Sequence, residues 1–123
     1  MNAIKILEVW NASIRQKSEY PLTHFLHDDC KIEYFGRSQI QSKDEHLKWC
    51  RENAKAKCIG NFRVIYDDNG LCCGSHTVTY VSGNSGLIMF FGQYSDMGVT
   101  SWTSLVSRDC LLYTSPSPRD LRK

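Results

Sequence analysis

Histidine is the side chain whose ordinary pKa lets it take and return a proton near neutral pH. His76 stands four residues before Tyr80 in the run from Leu71 to Val81, whose composition is strand-like. Residues four apart on a strand share a face, here together with Cys72, Gly74 and Val78, so a base and a phenol donor are offered to the same space. Such a pair suits removal of a proton from carbon while a hydroxyl departs. The plainer reading makes His76 a core or solvent histidine, because no orienting partner for it can be identified. Glu33 and Tyr34 are the other acid/base candidates. They are adjacent on a strand, so they face opposite ways and only one of them can enter a common pocket. Trp10, Trp49, Phe90 and Trp102 come from separate elements and are candidate pocket walls, with core packing as the alternative. Trp10 and Trp102 each carry an N–H that needs an acceptor, which suits the edge of a polar cavity. Asp28, Asp29, Asp67 and Asp68 lie in turn settings and read as solvated residues. His24 and His27 lack a third ligand at metal spacing, so no metal site is expected. Phosphate loops, nucleophile elbows and basic helices are absent, and no cofactor is expected.

The elements that must hold these residues follow from periodicity. Ile4, Leu7, Trp10 and Ile14 form one apolar stripe, predicting a first helix. Pro21 suits a first helical turn, predicting a short second helix from Pro21 to His27 that Asp28 and Asp29 break. Cys30 to Phe35 reads as a strand ended by Gly36. Ser42 followed by Glu45 is a capping box, so a third helix should run from about Lys43 to Ala56 with Leu47, Cys50 and Ala54 inward and Trp49 at its edge. After Lys57 the period changes to two. Strands containing Phe62, Val64 and Tyr66, then Leu71 to Val81, Leu87 to Ser95 and Val99 to Ser107, are joined by short turns and must form an antiparallel meander. Gly74 and Gly92 are placed where bulges or close helix contact would let that meander bend. The fold class is α+β.

The stretch Leu26 to Trp49, LHDDCKIEYFGRSQIQSKDEHLKW, with its double aspartate, aromatic-ended strand and amphipathic helix, resembles the nuclear transport factor 2-like superfamily. Its SnoaL-like and ketosteroid isomerase-like branches are the most similar, and the order of elements agrees from Ala3 to Ser107. The resemblance implies a cone, with a strongly bent antiparallel sheet wrapped on three N-terminal helices and a pocket at the open end. It also implies a small-molecule ligand in that pocket, although the superfamily holds non-catalytic binding and dimerisation modules beside its lyases and isomerases. In the isomerase pattern, Asp28-Asp29-Cys30-Lys31-Ile32-Glu33 matches, but Tyr34 then stands where the base aspartate should be. Trp10 and Phe90 stand near the two oxygen-binding donors, and a slip of one residue would offer Glu33 as the carboxylate. The dehydratase branch uses histidine with tyrosine or aspartate, which implies roles for His76 and Tyr80.

The string Cys110 to Asp120, CLLYTSPSPRD, resembles a translated sequencing adapter, and prolines two apart among serines support neither helix nor ladder. Residues 1–109 are therefore expected to be a single domain and 110–123 a non-native tail. Without that tail, twelve basic residues face twelve acidic ones, and nothing in the charge favours nucleic acid. Cys30, Cys50, Cys58, Cys72 and Cys73 are odd in number and follow no metal spacing. With Met1 to Leu7 too short for a signal sequence, a reducing cytoplasm is expected. No apolar run is long enough to span a bilayer. A homodimer is expected, because the outer face of a meander often carries apolar residues that need covering.

Overall fold

The first helix, α1 (Ala3–Gln16), is capped by Asn2, whose side chain accepts the Lys5 N–H at 2.9 Å, and it ends where Lys17 turns left-handed. The structure, a computed structural model, describes residues 1–35, 39–53 and 55–106. The expected ends of the first and last strands at Gly36 and Ser107, the inward Ala54 and the tail 110–123 lie outside the described residues. In α1 the buried face is Ala3, Ile6, Leu7, Trp10, Ser13 and Ile14, so the expected Leu7, Trp10 and Ile14 point inward, while Ile4 is exposed and the face extends instead toward Ala3, Ile6 and Ser13. Buried Ser13 accepts the Leu22 N–H and pins the second helix, α2 (Tyr20–Thr23), to the first.

That second helix stops short of the expected His27. Strand β1 (Leu26–Tyr34) begins at once, because Leu26 pairs with Val99 and the Phe25 carbonyl accepts the Val99 N–H; tertiary pairing overrides local helix preference here. A short strand, β2 (Gln39–Ser42), had no alternating pattern to announce it. The capping box forms, with Ser42 and Glu45 each accepting the other's backbone N–H. The third helix, α3 (Lys43–Lys48), then widens into a π turn, Trp49–Asn53, and does not run on to Ala56. Four long strands follow: β3 (Ala56–Asp68), β4 (Leu71–Tyr80), β5 (Ser85–Ser95) and β6 (Gly98–Val106).

The sheet order is β2-β1-β6-β5-β4-β3. The expected meander is present, but the sheet is mixed, since β1 and β6 run parallel. Three helices and a strongly curled sheet make an α+β fold. The curl has visible causes. Register shifts interrupt the β3–β4 pairing near Asn61 and Ile65. At the first of these, the Arg63 carbonyl oxygen would lie 2.0 Å from any Cβ at position 74, so Gly74 admits the bulge. Gly92 serves a different end from the one expected: its missing side chain leaves room for the Trp102 indole, which would stand 2.3 Å from a Cβ there. Among the described residues, no helix is long and apolar enough to cross a membrane.

Candidate functional site

Strand pairing brings the inward side chains into rows across the concave face. One row runs Gln41, Ile32, Trp102, Gly92, Cys72. The next runs Gln39, Tyr34, Ser104, Phe90, Gly74, and a third Val106, Ile88, His76. Leu7, Trp10 and Ile14 of α1 face these rows, and with His46 of α3 and Trp49 they enclose a cavity of about 610 Å³. That volume is in the range of small-molecule sites.

His76, Tyr80, Tyr34, Trp10, Trp49 and Trp102 all line this cavity. Glu33 and Phe90 do not. Glu33 pairs with Ile40 and Thr103 on the face away from Tyr34, as strand alternation requires. Phe90 is buried against Trp102, with ring centroids 5.0 Å apart and planes 11° from parallel, so it packs the wall without forming its surface. Among the described lining residues none is Asp or Glu. His76 and Tyr80 share the face but stand apart: four residues at the usual strand rise is about 13 Å. Their side chains can therefore approach one bound ligand from two sides.

His76 is 5% exposed, its ring in a T-shaped contact with Phe62 and tilted 33° against Phe90. Its Nδ1 is 3.1 Å from the Thr77 carbonyl oxygen. A carbonyl can only accept, so Nδ1 carries the proton and Nε2 keeps the lone pair. Burial pushes its pKa below the ordinary histidine value, and the Thr77 hydrogen bond opposes that only in part. At neutral pH this is a neutral imidazole with its basic nitrogen unused by any described hydrogen bond.

His46 and Gln41 are among the lining residues that were not anticipated. His46 is 1% exposed, with Nε2 2.9 Å from the Trp10 Nε1 and Nδ1 2.8 Å from the Gln41 Oε1. Indole is a donor only, so Nε2 must accept and Nδ1 must donate. Burial pushes its pKa down to about 4. His46 precedes Trp49 and Cys50 by three and four residues, a helical spacing that would have placed it inward. Nothing in the sequence hinted that Gln41 lay on a strand at all. Asp67, read as a solvated turn residue, instead accepts the Ala3 N–H and the Tyr94 hydroxyl and joins α1, β3 and β5.

A search of solved structures places the architecture. A Kribbella flavida protein assigned as a ketosteroid isomerase superposes with a TM-score of 0.68 at 15% identity, over 98% of this chain and 93% of that one. A protein of unknown function from Burkholderia xenovorans, described as nuclear transport factor 2-like, gives 0.65 at 16% identity over 85% and 84%. The fold is nuclear transport factor 2-like. An epoxide hydrolase of M. tuberculosis, described as LEH-like, shares it with a TM-score of 0.67 and 14% identity over 85% of this chain and 81% of that one. No family model matches the sequence, and no curated protein matches it.

Proposed function

We propose that the cavity binds an apolar molecule bearing one or two oxygens, and that His76 is the base of a lyase- or isomerase-type proton transfer on it. The observation that carries this reading is the His76 tautomer: with Nδ1 held by the Thr77 carbonyl, Nε2 is a neutral base on a ring that lines the cavity. In an elimination from a β-hydroxy ketone, His76 would take the proton from the α-carbon. The C–H pair would become the new C=C, and the C–O bond would break with Tyr80 or Tyr34 protonating the departing oxygen to water. The proton then on His76 returns to the phenolate through solvent. Aromatic walls from Trp10, Trp49 and Trp102 suit the apolar body of such a molecule. Folds shared with proteins described as an isomerase and an epoxide hydrolase agree with small-molecule chemistry in this pocket without specifying it.

The least demanding test asks only for the first step. In D2O, wild-type protein should speed deuterium uptake at the α-carbon of 2-decalone over buffer, followed by NMR. His76→Ala should lower that rate by roughly 10²–10⁴-fold. An unchanged rate in His76→Ala removes the assignment. A second reading, a non-catalytic binding module, is favoured by the lack of carboxylates among the described lining residues; binding of the ketone without exchange in wild type would select it.

Two wider expectations stay with this reading. The five described cysteines are free thiols, which suits a reducing compartment such as the cytoplasm. Met89, Phe91 and Leu105 are neighbours on the outer face and each is about half exposed, which suits a second copy of the chain as its cover.

A further inference from the structure

We infer that the Gln41 carboxamide is the ligand's oxygen-binding group, and that His46 and Trp10 are positioning residues that fix which end of that amide faces the cavity. The inference deepens the reading of the cavity as a small-molecule site; it does not depend on His76 acting as a base.

The argument is a chain of hydrogen-bond polarity with one possible direction. Trp10 Nε1 can only donate, and its acceptor is the His46 Nε2 at 2.9 Å. A neutral imidazole with Nε2 accepting must carry its proton on Nδ1, which therefore donates across 2.8 Å to Gln41. Only the amide oxygen can receive it. The flip of the Gln41 amide, ordinarily ambiguous because its oxygen and nitrogen are nearly isosteric, is thus set by chemistry two residues away. The NH2 end is what remains to face the cavity that Gln41 lines.

Gln41 is only 9% exposed, and no hydrogen bond to another described residue uses its amide nitrogen. A buried donor without an acceptor is costly, so the site is built for a ligand that brings one. Because Ile32 and Trp102 continue the row beyond Gln41, the acceptor would sit at the edge of an apolar floor. The ligand class is therefore an apolar body with a carbonyl or comparable oxygen acceptor, held by one N–H···O bond. A hydrocarbon of the same shape would leave the NH2 unpaired and bind more weakly.

The test compares 2-decalone with decalin, which differ in one oxygen, by competition against a fluorescent apolar probe, together with the infrared carbonyl stretch of the bound ketone. Wild type should prefer decalone by about tenfold and lower its carbonyl stretch relative to decalone in hexane, as hydrogen bonding does. Gln41→Leu should retain decalin binding, lose the preference and return the stretch to its hexane value. His46→Leu should also lose both signatures. His46→Gln should restore them, since its oxygen can accept from Trp10 while its NH2 donates to Gln41. Trp10→Phe frees the His46 tautomer, lets the amide turn, and should reduce the preference and the spectral shift together. The proposal is overturned if wild type binds neither ligand or both equally, if Gln41→Leu keeps the shifted stretch, or if His46→Leu does. Ketone binding with the shifted stretch but no α-deuterium exchange would retain Gln41 and remove the His76 reading. Exchange that depends on His76 but is indifferent to Gln41 would do the reverse.

Discussion

His46 shows how far one side chain's protonation is constrained by its neighbours. Burial holds its pKa down to about 4, below the ordinary value near 6.5. The unfolded chain therefore takes up a proton at a higher pH than the folded one. The stability this residue contributes is complete above pH 6.5, is lost as pH falls from there to about 4, and changes no further below that. The loss amounts to about 3 kcal/mol over that window. His46→Gln, which keeps both hydrogen bonds but cannot titrate, should flatten the pH dependence of urea-unfolding free energy between pH 7 and 4.5 by about that amount. An identical slope in the two proteins would show that His46 does not hold a depressed pKa. His76 is depressed in the same direction and remains in both, so the difference isolates His46.

At the scale of elements, the contact between β5 and β6 is set by an absent side chain. A Cβ at position 92 would fall 2.3 Å and 2.4 Å from the Trp102 ring. Gly92→Ala should therefore displace that indole and destabilise the fold by about 1–3 kcal/mol, read as a lower urea midpoint. Gly60→Ala, which meets nothing within 4 Å, should be neutral or slightly stabilising. Equal effects from the two would mean that Trp102 does not rest on Gly92. The long strands, the capping box and α1 were legible in the sequence because each follows from a local rule of period or spacing. The end of α2 was not, because it depends on Val99, remote in the chain from Leu26; β2 was not, because its four residues show no alternation and become a strand only by pairing with β1; and no local rule announced the π turn. The site divides in the same way. His76, Tyr80 and Tyr34 were placed by strand alternation, whereas Gln41 and His46 acquire meaning only through Trp10, more than thirty residues away.

The whole molecule has one face that works inward and one that is left bare. If a second copy covers the outer face, wild-type protein should sediment as a dimer, and Phe91→Glu with Leu105→Glu should convert it to a folded monomer by burying charge at the centre of the contact. A wild-type monomer at micromolar concentration would remove that proposal. The order of strands has a separate consequence in time. β6 is the last strand of the described chain, yet it lies between β1 and β5 and is the piece that unites the two halves of the sheet. Until it docks, the chain holds a two-stranded ribbon, β1 with β2, and a three-stranded one, β3 to β5, with no backbone bond between them. Its pairing with β1 closes a loop of about seventy residues, the kind of remote contact that makes folding slow. On a ribosome, nascent chains can therefore complete neither the sheet nor the cavity before Trp102 has emerged from the exit tunnel.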